Sequence, residues 1–208
     1  MPSKQPTQTR QAELMAAALA LAAHRSPATV TTTELAQAVG ITQGAVFRHF
    51  ESKEAIWLAV MDQVSETLLA RLREAAAAHA QPLPALQAVF MAHVDFVVEH
   101  PGVPRLIFQE LQQPQDTALK ARVRRLMHEY RLLLTRLLQQ AQDLQALQPG
   151  TNLQAAAVLF MGSVQGLVMQ SLLSDQVGAM RAQAPAVFQL LQQSVATTCH
   201  TPSHQDTP

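Results

Sequence analysis

Residues 31–50 read TTTELAQAVGITQGAVFRHF, and their order of capping, small and apolar residues decides the fold. Thr31 and Glu34 stand at the spacing of a capping box, in which each side chain satisfies a free backbone N–H near the other. Gly40 follows Val39 where a helix ends on a residue with positive φ. Thr42 is placed to cap a second helix over Gln43–Phe50. Two short helices around a turn of Gly40, Ile41 and Thr42 have the spacing of a helix-turn-helix. Leu35, Ala36, Val39, Ile41, Val46 and Phe50 fall on the faces that must pack together. Gln43, Gly44, Phe47 and Arg48 face outward, with Ala45 beside them, as on the N-terminal face of a helix that enters a major groove. Spacing alone leaves open an ordinary αα-hairpin inside a helical bundle.

Working outward, the chain reads as helix nearly throughout. Alanine, leucine and glutamine dominate, glycine is scarce (7 of 208 residues), and no segment alternates in the manner of a strand. A helix over 9–24 carries Leu14, Ala17, Ala18 and Leu21 on one face and stops at Ser26-Pro27. Ser52 caps a long helix running to about Ala80, and Gln81 to Pro84 breaks it. Helices are expected over 85–99, 105–111, 116–144, 153–173 and 184–198. The fold class is therefore all-α, about nine helices, with a small N-terminal three-helix unit and a larger C-terminal helical domain.

Composition narrows the function. Hydrophobic residues make up 48% and charged residues 14%, and the net charge is zero. Residues 1–57 carry five basic and four acidic side chains, so DNA binding has to rest on geometry rather than on bulk charge. No uninterrupted apolar run reaches about 18 residues, so no membrane partner is expected. The first ten residues are polar with no apolar h-region, and Cys199 is the only cysteine, which together give a cytoplasmic expectation. The eight histidines form no HExxH pair, and no nucleophile elbow or phosphate-cradling glycine loop is present. His200 and His204 share the C-terminal tail, where incidental metal binding is the most they could offer. No enzyme activity, cofactor or metal is expected.

Residues 9–60 resemble the DNA-binding domain of the TetR family of bacterial regulators. The matching pieces are Thr31-Thr32, Leu35-Ala36, Val39-Gly40-Ile41-Thr42, Gly44-Ala45, Phe47, His49-Phe50 and Ser52-Lys53-Glu54, in order and without gaps. The resemblance implies that Thr32 and Thr33 lie near phosphate or a base edge. It places Gln43, Gly44 and Ala45 against bases, beside the capping Thr42, and His49 and Lys53 against phosphates. Phe47 stands where the family usually has tyrosine, so a hydroxyl contact to phosphate should be missing. Arg48 is variable in the family, but its guanidinium could reach guanine or phosphate, and Gln43 suits the adenine edge. For His49 a helix-end cap, and for Lys53 simple solvation, remain alternatives.

The family pairs this module with a ligand-binding, dimerising helical domain, and beyond residue 60 the resemblance is architectural only. The implied division is a tail at 1–8, a DNA-binding domain at 9–53, a ligand and dimer domain at 54–199, and a loose tail at 200–208. Phe90, His93, Val94, Val97, Phe108, Met127, Tyr130, Phe160, Met161, Gln165 and Met169 are candidates to line an apolar pocket. His93, Tyr130 and Gln165 would be its polar anchors, with ordinary core packing as the alternative for each residue. Leu159, Gly162, Gly166, Leu167 and Gln170, with Val187, Phe188, Leu191 and Val195, are candidates for a dimer interface. Completion of the monomer core is the alternative there. The arginines 122, 124, 125, 131 and 136 read as a solvated face that could instead pair with Glu129 or an acidic effector. The expected function is a homodimeric repressor on double-stranded operator DNA, released by a small, largely apolar effector. A DNA-bound adaptor that recruits a protein without a ligand is the alternative.

Overall fold

The computed structural model describes residues 7–197. The expected loose tail at 200–208, Cys199, His200 and His204 lie outside the described residues, as does most of the N-terminal tail. Thr7 and Gln8 already turn within the first helix, because nothing between Thr7 and Ala22 is a proline or glycine that would stop it.

Nine α-helices are formed among the described residues: α1 (Thr7–Ala22), α2 (Thr32–Val39), α3 (Gln43–Val46), α4 (Lys53–Ala77), α5 (Pro82–Glu99), α6 (Gly102–Leu111), α7 (Ala118–Asp143), α8 (Leu153–Ser174) and α9 (Ala179–Val195). A 3-10 turn, Pro27–Thr29, follows α1. The nearest approach to a strand is an isolated antiparallel bridge between Leu147 and Ala196, which ties the α7–α8 loop to the end of α9.

The capping residues read from the sequence, Thr31 with Glu34, Gly40, Thr42 and Ser52, cap their helices in the structure. Thr31 and Glu34 form the reciprocal capping box of α2, Gly40 closes it at φ 71°, and Thr42, Ser52 and Asn152 accept from the third residue of the helix each one starts. Three helix starts differ at prolines. α5 starts at Pro82 and α6 at Gly102, so Pro84 and Pro104 sit in first turns, where a missing N–H costs nothing. α9 starts at Ala179 and carries Pro185 inside it. α3 is a single helical turn rather than a helix to Phe50, and residues 47–49 continue as turns.

α1, α2 and α3 form a small head closed around Leu14, Ala18, Leu35, Ala36 and Val46, each buried. α4 packs on α1 at its start and on α5 and α7 along its length. α5, α8 and α9 meet around Phe90, Phe160 and Phe188, whose ring centroids lie 5.3–6.4 Å apart in tilted and edge-on pairs. Each such pair contributes about 0.5–1.5 kcal/mol beyond its buried area. α8 is long and apolar enough to cross a membrane by length and composition. Gln154, Ser163, Gln165 and Gln170 interrupt it, and its inner face, including Phe160, Val164 and Val168, is buried against the bundle.

Candidate DNA interface and ligand cavity

The outward side of the head gathers the residues expected to meet DNA. Thr33, Thr42, Gln43, Gly44, Phe47 and Arg48 are exposed, Thr32 and His49 are half-buried, and Ala45 is buried at 7% exposure. Ala45 therefore packs α3 onto the head and does not offer its methyl to a base. The Gln43 amide donates to Thr32 Oγ1 at 2.9 Å, which bridges the starts of α2 and α3 and sets the direction of the glutamine. A Cβ on Gly44 would meet nothing within 4 Å, so glycine leaves open space in front of α3 rather than relieving a clash within the head. Phe47 is 48% exposed, a large apolar ring held out to solvent.

The head's cations are mostly engaged. Arg10 bonds Glu13 and the Val39 carbonyl, Arg25 pairs with Glu34 at 2.7 Å, and Lys53 Nζ donates to the Ala28 carbonyl at 2.7 Å. Hydrogen bonds from Arg25 and then Thr31 hold the Glu34 carboxyl down to about 2, so it stays charged and keeps Arg25 occupied. Lys53 thus fastens the 3-10 turn to α4, a role the motif did not disclose. Arg48 is the one arginine or lysine of residues 9–53 with no intramolecular partner among the described residues. The His49 carbonyl accepts from Gln11, while its Nδ1 is buried and unpartnered.

Below the head, α5, α6, α7 and α8 surround a cavity of about 390 Å³, within the usual range of small-molecule sites. Seven of the expected pocket residues line it: His93, Val97, Phe108, Met127, Tyr130, Met161 and Gln165. Four do not. Phe90, Val94 and Phe160 are at most 1% exposed inside the core between α5, α8 and α9, and Met169 points outward at 43% exposure. α5 is rotated so that residues 93, 96 and 97, not 90 and 94, face the cavity. Of the α6 lining, the sequence reading held Phe108 and missed Val103, Pro104, Ile107 and Leu111.

His93 Nδ1 lies 3.2 Å from the Tyr130 hydroxyl. Burial pushes His93 down to about 4 and pushes Tyr130 upward, so both are neutral near pH 7 and one shares a proton with the other. Tyr130, the chain's single tyrosine, is fully buried and finds its partner here.

α6 joins the cavity to the head. One face lines the cavity, while its start rests on α1, where a Cβ on Gly102 would come 2.3 Å from the Leu19 carbonyl oxygen and 3.1 Å from the Ala23 nitrogen. Farther along, Gln109 Oε1 accepts from Ser26 Oγ at 2.8 Å and from the Ala28 N–H at 2.9 Å.

The candidate dimer residues divide by side. Leu159, Gly162, Gly166 and Gln170 lie on the exposed face of α8, and Val187 is half-buried. Leu167, Phe188, Leu191 and Val195 are 2–8% exposed within the subunit and serve its core. Val158, Leu159, Met169 and Leu173 of α8, with Leu190 of α9, are 43–74% exposed, an outward apolar stripe.

Comparison with known proteins bears on this arrangement. Residues 14–60 match the family described as bacterial regulatory proteins, tetR family, and residues 108–187 match the tetracyclin repressor-like C-terminal domain. The chain belongs to the TetR family. It is accordingly a helix-turn-helix, DNA-binding transcription regulator. Among curated relatives, the nucleoid occlusion factor SlmA of Actinobacillus pleuropneumoniae is 31% identical over 94 residues, 45% of this chain and 46% of that protein. SlmA of Haemophilus ducreyi is 27% identical over 139 residues, covering 67% and 69%. The chain thus spans about half the length of the first of these relatives. Among solved structures, the fatty acid degradation regulator FadR of Bacillus halodurans superposes with a TM-score of 0.79 at 18% identity, covering 91% of this chain and 96% of that one. FadR of Bacillus subtilis, solved in complex with stearoyl-CoA, gives 0.76 at 18% identity over 86% and 96%. These likenesses concern the fold.

Proposed function

We propose that this TetR-family regulator is a dimeric repressor, released from its operator by a small, largely apolar ligand held between α5, α6, α7 and α8. The division into a DNA-binding unit at 9–53 and a ligand and dimer unit at 54–199 is part of that reading. The observation that carries it is the sharing of α6 between the cavity and the head. A ligand that fits better with α6 displaced favours a second arrangement of α1 and the 3-10 turn, and so of α3. α4, which packs on α1 and on α5 and α7, offers one route between the two units; α6 supplies a second and more direct one. A related fold solved with stearoyl-CoA, and another belonging to SmeT, the repressor of a Stenotrophomonas maltophilia multidrug efflux pump, are consistent with ligand control and repression.

Thr32, Thr33, Thr42, Gln43, Gly44, Phe47 and Arg48 form the base- and phosphate-facing surface in this proposal. With Arg48 the single unengaged arginine or lysine among the head's described residues, one head makes few charge contacts, and tight binding draws on two heads. Operator selection from a random duplex library, followed by anisotropy titration at fixed salt, tests it. A twofold-symmetric site is expected. Gln43→Ala and Arg48→Ala should each weaken specific binding by about 1–3 kcal/mol with unchanged circular dichroism. Parent-like binding by both variants would remove the assignment of this face. A cavity ligand that leaves operator affinity unchanged would remove the switch.

A second reading, a DNA-bound adaptor that recruits a protein, draws on the curated relatives named as nucleoid occlusion factors. That role needs no cavity, and the open space beside α6 favours the ligand-controlled reading.

A further inference from the structure

The cavity is asymmetric in charge. Its deep lining, including Phe96, Leu126, Tyr130 and Val164, is buried, while Leu111, Arg124, His128, Arg131 and Gln165 are exposed and define its mouth. Arg124, His128 and Arg131 follow one another at i, i+4 and i+7 on α7 and so stand on a single face. No aspartate or glutamate lines the cavity. The other arginines of this stretch are occupied: Arg122 and Arg125 both reach Asp62 of α4, at 2.9 and 3.0 Å, and Arg124 forks onto Asp116 at 2.6 and 3.1 Å. Arg131 has no ion pair or hydrogen bond among the described residues, and it is the one such arginine at the mouth. Arg136, further along α7, is likewise exposed but does not line the cavity.

We infer that the effector is an amphipathic anion, with an extended apolar body among α5, α6, α7 and α8 and a carboxylate or phosphate head held at the mouth by Arg131. The inference rests on the cavity being the effector site, as proposed above. A cationic head would meet the unpaired guanidinium of Arg131 with no lining carboxylate to attract it, Arg124 being already paired with Asp116. A charge placed at the floor would lose its hydration beside the neutral His93 and Tyr130, so the head belongs at the rim. A planar guanidinium with free donors suits an oxyanion of either kind.

Isothermal titration of the full chain with decanoate, decyl phosphate, decanol and decylamine, at one ionic strength, tests this. Decanoate or decyl phosphate, or both, should bind about tenfold or more tighter than decanol, and the comparison of the two identifies the head. Arg131→Glu should abolish that preference and turn it towards decylamine, while Arg136→Glu, with the same change in net charge, should behave as the parent. Equal binding of decanol and the anions, or equal behaviour of the two variants, overturns the anionic head and leaves an apolar effector site in place. Failure of every probe to bind overturns the inference together with the effector-site reading.

Discussion

At the scale of single residues, the His93–Tyr130 pair makes the folded state sensitive to acid. The native imidazole is held down to about 4 by burial, against an ordinary value near 6.5 in the unfolded chain. Between these values the unfolded chain binds a proton that the native chain does not. Stability therefore rises with pH across that window and is lost as pH falls from 6.5 towards 4, with a limiting slope of about 1.4 kcal/mol per pH unit. Tyr130, whose burial raises its own value, stays protonated throughout, so the titrating member of the pair is the imidazole. Urea unfolding at pH 5 and pH 7 should show a smaller pH dependence for His93→Gln than for the parent, with the other histidines cancelling in the difference. Tyr130→Phe should keep the parent's dependence, because desolvation and not the hydroxyl lowers the imidazole. Equal dependence in His93→Gln and the parent would show that the imidazole is hydrated.

At the scale of elements, α6 is the helix whose placement has the narrowest tolerance. Gly102 lies against the backbone of α1, and a backbone carbonyl cannot swing aside as a side-chain tip can. Gly102→Ala should therefore push α6 away from α1, costing about 1–3 kcal/mol as overpacking, measured by chemical unfolding. It should also weaken operator binding more than it weakens ligand binding, because the cavity lies on the opposite face. Unchanged stability would show that the two helices separate freely. Most elements were legible in the sequence because caps and breakers act locally: Thr31 with Glu34, Gly40, Ser52 and Asn152 each declare a helix end within four residues. Prolines misled wherever they entered a helix, since Pro84 and Pro104 occupy first turns and Pro185 an interior. The cavity was legible in part. Its residue types were recognisable, but whether Phe90 or Phe96 faces it depends on how α5 is rotated between α8, α9 and α7, which no single helix records. On α6 only Phe108 was anticipated, because Val103, Pro104, Ile107 and Leu111 look like any short apolar stretch.

At the scale of the whole molecule, the outer face of α8 is the feature one subunit leaves without a partner. Val158, Leu159, Met169 and Leu173 recur at helical spacing, and Leu190, on the helix packed against α8, is likewise exposed. Gly162 and Gly166 lie between them with open space where a Cβ would point, so a second helix can approach closely. A self-complementary apolar patch of this kind suits a twofold contact, in which the same residues face one another across the axis. The buried members of the sequence's candidate set, Leu167, Phe188, Leu191 and Val195, support the patch from beneath rather than forming it. Leu159→Glu combined with Leu173→Glu would place four like charges near the proposed axis at positions outside the subunit's buried core. Sedimentation should then show a monomer with parent-like helicity by circular dichroism, and operator binding should fall by at least a hundredfold, since a single head must hold DNA with Arg48 as the one unengaged arginine or lysine among its described residues. Leu132→Glu, at a comparably exposed position on α7, should change neither association nor DNA binding, which separates the α8 contact from a general effect of surface charge. A double variant that still sediments as a dimer and binds its operator would place the subunit contact on another face.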